Sequence, residues 1–123
     1  MAKQSQAWKN LERATATALK GTRVLRGADF SVEDVDVKVN DLPFLKVDAK
    51  YRKAHAHHTL MAEIVEKYCE KETDIPVLVT KHHNQTGAYV TIPLEFFGDL
   101  LDFVRKSGSN PFRKSAMNED EET

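Results

Sequence analysis

Cysteine is almost missing from this chain: Cys69 is the only one in 123 residues. A lone thiol closes no internal disulfide, which excludes a stapled secreted scaffold and points to a reducing, cytoplasmic compartment with a buried, unreactive thiol. No apolar run approaches the roughly 20 residues of a membrane span, and the opening MAKQSQAWKN lacks the apolar core of a signal peptide. A membrane partner is therefore not expected. P-loop, GxGxxG and HExxH patterns are also missing, so nucleotide-cofactor and zinc-protease chemistry lose their usual support. His55, His57 and His58 lack thiol partners at zinc-site spacing. Nor is there a large charge of either sign. Lys and Arg total 18 against 19 Asp and Glu, a net charge of −1, which at first argues against nucleic acid as a partner.

The distribution of charge changes that reading. The closing NEDEET is acidic, whereas residues 1–60 are rich in Lys, Arg and His, so the folded part is expected to be net basic. A charged fraction of 30% and a hydrophobic fraction of 41% fit one soluble globular domain, taken as 1–106, followed by a disordered acidic tail, 107–123.

Apolar spacing supplies the elements. Ala7, Trp8, Leu11, Ala14, Thr15, Ala18 and Leu19 recur at three and four over 4–20, an amphipathic helix stopped by Gly21. A short strand (22–26) and a loop follow. Then Val35, Val37 and Val39 alternate with Asp36 and Lys38, the segment 40–43 turns the chain, and FLKVDAKYR (44–52) returns as a strand. YRKAHAHH (51–58) reads as a basic loop or helix start, and Thr59 as the N-cap of a helix reaching about Lys71. VLVTK (77–81) is a strand buried on both faces, 88–92 another strand, and Pro93 opens a helix packed through Leu94, Phe97, Leu100, Leu101 and Val104. Helix, three strands, helix, two strands, helix is the pattern of an α/β fold with a mixed central sheet flanked by helices.

Asp48 and Lys50 stand two apart on a strand and project from one face. A carboxylate and an ammonium placed together can hold a divalent cation and position a water, the minimum for phosphodiester hydrolysis. The hairpin brings a second carboxylate, from Asp34 or Asp36. The Ala49 carbonyl lies between the charges of the triplet, and Glu12 on the first helix can complete the shell. The ordered set is far less expected by chance than D-x-K alone.

With LERA (Glu12, Arg13), VLRGADFSVEDV (Arg26, Ser31, Asp34), LKVDAKYRK (Asp48, Lys50 to Lys53) and the later PVLVTK strand, the sequence resembles the PDDEXK nuclease superfamily. The similarity is to archaeal-type Holliday junction resolvases and their phage relatives, over about residues 7–104. The resemblance implies a restriction-endonuclease-like fold and a magnesium-dependent endonuclease that nicks branched DNA, with manganese as a substitute. Flap or linear-duplex cleavage on the same scaffold, or an inactive DNA-binding module, are the alternatives. It further implies that Glu12, Asp34 and Asp48, with the Ala49 carbonyl, serve the metal, Asp36 being the alternative to Asp34. Lys50 then acts beside the water and Ser31 assists. Arg13, Arg26, Arg52 and Lys53 contact DNA, the protein is a homodimer without nucleotide cofactor, and its location is the host cytoplasm if phage-encoded. The family places glutamate where Asp48 stands, a residue one methylene longer.

Overall fold

The computed structural model describes residues 2–25 and 34–108, the side chains from Gln6 onward in the first helix. Arg26, Ser31 and all but the first two residues of the expected tail lie outside the described residues. The elements follow in the order α1 (Ala2–Leu19), β1 (Thr22–Arg23), β2 (Val37–Lys38), β3 (Leu45–Arg52), α2 (His57–Tyr68), β4 (Ile75–His82), β5 (Tyr89–Thr91) and α3 (Leu94–Ser107). Five strands form one mixed sheet in sequential order. β1, β2 and β3 pair antiparallel, β3 and β4 parallel, and β4 and β5 antiparallel. The chain is thus α/β with a mixed sheet, and among the described residues no helix is long and apolar enough to cross a membrane.

Strand alternation decides what each helix covers. Val47 and Ala49 of β3, with Val77 and Val79 of β4 and Val37 and Val39 around β2, pack against Leu11, Ala16 and Leu19 of α1. The intervening Leu78 turns the other way and packs with Leu60 and Ile64 of α2. Asp48 stands beside Leu78 in the parallel register, so it too points away from the α1 core. The long strands β3 and β4 are therefore buried on both faces, as the continuous apolar run at 77–79 implies.

α1 ends one residue earlier than Gly21 suggests, because Lys20 takes the left-handed conformation (φ 55°). Gly21 is required for a different reason: a Cβ there would sit 2.5 Å from the Lys38 carbonyl oxygen, where the chain enters β1. α2 begins at His57 rather than after Thr59, with Ala56 at the N-cap and no side-chain cap, and it ends at Tyr68. Cys69 is half-buried, and burial first, then the charge of Asp74, push its thiol above the ordinary range.

By compactness the chain divides into Met1–Ile92 and Pro93–Thr123. In the second unit, α3 is closed by Gly108 in the left-handed conformation (φ 71°). Within its own unit no residue of α3 is buried. Periodicity identifies a face but not whether anything covers it.

Candidate active site

The register of β2 on β3, Val37 against Val47 and Lys38 against Lys46, carries Asp36 to the side of Asp48. The approach is tied by backbone as well as side chain. The Asp36 N–H donates to the Val47 carbonyl at 3.1 Å, and the Ala49 N–H donates to Asp36 Oδ2 at 2.9 Å. Both carboxyl groups are buried, and their side chains share a hydrogen bond. Lys50 Nζ lies 3.1 Å from Asp48 Oδ2, with the Lys50 side chain 26% exposed, so the cluster meets solvent through the lysine. Thr80, the register partner of Lys50 on β4, is buried beside it.

Desolvation raises the pKa of Asp36 most, followed by the hydrogen bond and the charge of Asp48, with a further contribution from Glu12. The Ala49 N–H opposes them, and the result is a carboxyl pushed up to about 8. Two carboxylates brought together out of water cannot both ionise cheaply, so at neutral pH Asp36 carries a proton. A divalent cation in place of that proton removes the same conflict.

Asp34, the residue favoured by the resemblance for the first ligand, lies elsewhere. Its Oδ1 accepts from the Val35 N–H at 2.8 Å and its Oδ2 pairs with Lys38 Nζ at 3.0 Å, both on the surface side of the hairpin. The strand alternation that favoured Asp36 is what the register delivers. A cavity of about 280 Å³ beside β2 is lined by Asp34, Lys38, Pro43 and Lys46, away from the Asp36–Asp48 pair.

Glu12 is buried on α1, but Arg23 Nε holds its Oε1 at 2.6 Å. It is therefore near enough to raise the Asp36 pKa while its carboxylate is already matched. Arg23 was not anticipated, although a signal existed: a carboxylate on the flank of an apolar stripe needs a cation, and the strand entered directly after α1 offers one. Arg13 is exposed and bonded to Asn10 at 3.1 Å, one turn back on α1. Arg52 and Lys53 are exposed at and just beyond the end of β3. Among the described residues no group of three His, Cys, Asp or Glu side chains stands ready around one metal position. What is assembled is two carboxylates, a lysine and the backbone of Ala49. Magnesium commonly binds through one or two carboxylates and keeps its remaining waters, so this donor set fits it.

No protein-family model, no curated protein and no solved structure matches the chain.

Proposed function

We propose that the chain is a metal-dependent phosphodiesterase built on a restriction-endonuclease-like (PDDEXK) sheet. The observation that carries this reading is the buried Asp36–Asp48 pair with Lys50 against it. Two carboxylates sharing a proton in a core are costly for folding alone, and the arrangement is economical where a cation is to be received. Asp36 and Asp48, with the Ala49 carbonyl, hold magnesium, or manganese in its place. When bound, the ion polarises the phosphate and activates water. Lys50, the cluster's link to solvent, orients the attacking water and offsets the charge that develops on the phosphate. Glu12 acts through its field on Asp36, since Arg23 occupies its oxygen.

Within that class, the reading we favour is an endonuclease that nicks branched DNA, a Holliday junction resolvase working as a homodimer. The order of motifs supports it, as do Arg52 and Lys53 at the end of the strand that carries Asp48 and Lys50. A labelled four-way junction incubated with and without magnesium should show symmetric nicks only with the metal. Asp48→Ala and Lys50→Ala should each lower nicking by a hundredfold or more, on the order of the loss of one transition-state contact, while junction binding persists. Continued cutting by both variants would sink the site assignment, and equal cleavage of a linear duplex would transfer the reading to a duplex or flap nuclease. One observation favours an inactive DNA-binding module instead: Glu12 is spent on Arg23, leaving two carboxylates at the site. Binding without cleavage in either magnesium or manganese selects that alternative.

A further inference from the structure

All five histidines of the chain fall in two short segments, at 55, 57 and 58 and at 82 and 83. The fold brings the segments together. β3 and β4 run parallel and end side by side, Tyr51 against Lys81 and Arg52 against His82, and the His83 N–H donates to the Arg52 carbonyl at 3.1 Å just past the last pair. His55 stacks on His82 with ring centroids 4.7 Å apart and planes 26° apart. Tyr51, which packs with the α1-side core on the other face of β3, has its ring 4.5 Å from that of His83. His57, the first residue of α2, approaches His55 at 6.0 Å.

The two segments carry one sign of charge. No Asp or Glu occurs from Ala49 to Ala62 or from Ile75 to Leu94, whereas Arg52, Lys53 and Lys81 lie within these segments. Residues 48, 50 and 52 alternate onto one face of β3, so this end of the sheet continues the face of Asp48 and Lys50. The span from Asp48 to Arg52 is about 13 Å at roughly 3.3 Å per residue.

We propose that the His55–His82 stack at the ends of β3 and β4 is a binding platform for an unpaired nucleic-acid strand, with a base on the open imidazole face and phosphates on Arg52 and Lys53. His82 covers His55 with one face and is itself exposed, leaving its other face open to a planar partner. The inner ring is kept suitable for this. His55 Nε2–H donates to the Lys81 carbonyl at 3.3 Å while Nδ1 is buried without a partner. Burial, then the neighbouring His82, His57 and Arg52, hold the His55 pKa below its usual value against the opposing pull of that carbonyl. Cations alone would suit any polyanion, and rings alone any apolar surface. Their interleaving matches a chain in which flat bases and phosphates alternate, and only an unpaired strand offers its base faces. The inference rests on the nuclease reading for nucleic acid as the partner and deepens it, since a strand on this platform leads along one face towards Asp48.

Fluorescence anisotropy in EDTA, with a labelled twelve-nucleotide single strand, the matching duplex and a competing nucleoside monophosphate, tests this. Single strand should bind more tightly than duplex, and the mononucleotide should compete only weakly. The variant H82A should lose affinity roughly tenfold, the scale of one stacked base, with little change in salt dependence. R52A/K53A should weaken binding and flatten the salt slope. H82F should keep the affinity that H82A loses, which a merely structural role for the imidazole would not predict; circular dichroism confirms that each variant is folded. Equal binding of duplex and single strand, equal competition by the mononucleotide, or an H82A variant that binds as wild type would overturn the platform. Loss of the platform with metal-dependent nicking intact refutes this inference alone, whereas strand binding by a protein that never nicks refutes the nuclease chemistry and leaves the platform standing.

Discussion

Two buried carboxylate sites, one between α1 and β1 and one between the start of β2 and β3, solve the problem of burial differently. Glu12 is matched by Arg23 at 2.6 Å, a closed ion pair in which charge is offset by a permanent cation. Asp36 is matched by another carboxylate, Asp48, and stays neutral only by keeping a proton to about pH 8. A guanidinium does not deprotonate in the physiological range, so the first site keeps its cation. A proton can be exchanged for a metal ion, so the second is responsive. The difference separates a carboxylate that holds α1 to β1 from one that is available for chemistry.

The largest expected effect breaks the closed site. Arg23→Ala strands a carboxylate that is 3% exposed and should cost about 3–5 kcal/mol in urea unfolding. Glu12→Gln, which keeps shape and one acceptor, should cost less. If Arg23→Ala proves neutral, the pair is not closed in the sense described.

Next comes pH. The folded pKa of Asp36, about 8, lies above its unfolded value of 3.8, so its stabilising contribution is complete below pH 3.8 and is lost as pH rises towards 8. In EDTA, wild type should lose on the order of a few kcal/mol between pH 5 and pH 8 relative to Asp36→Asn, which cannot ionise. Parallel pH profiles for the two proteins would show that Asp36 is not the protonated partner. Magnesium should sharpen the contrast by raising the melting temperature of wild type more at pH 8 than at pH 5, and that of Asp36→Asn little at either.

The smallest effect concerns the surface pair. Asp34 and Lys38 are 37% and 55% exposed, so Asp34→Ala should change stability by less than about 1 kcal/mol. It should also leave junction nicking near wild type while Asp36→Ala removes it. The reverse pattern would return Asp34 to the role the sequence resemblance implies.

Much of the fold was legible because periodicity is local. The apolar recurrence of Leu11, Thr15 and Leu19, the alternation of Val35, Val37 and Val39, and the unbroken run at 77–79 gave element order and type directly. Their ends were less legible: Thr59 is a good N-cap by type, yet the chain leaving β3 already coils at His57. At the site, Asp48 and Lys50 could be assigned to one face from their spacing alone. For the second carboxylate, strand alternation favoured Asp36 and the motif resemblance favoured Asp34, and only the pairing register says which one meets Asp48. Arg23 escaped notice because its partner is eleven positions away on another element.

The sequence by itself determined the α/β order of elements, the shared face of Asp48 and Lys50, and the gathering of every histidine into two acid-free segments. These depend on spacing along the chain, which secondary structure converts to direction without outside help. Only the tertiary structure decided that Asp36 rather than Asp34 meets Asp48, that Glu12 belongs to Arg23, and that His55 and His82 of the two histidine segments stack. Each of those follows from strand register and helix packing, where the burial of Val37, Val47 and Leu11 fixes which distant polar groups must share a space.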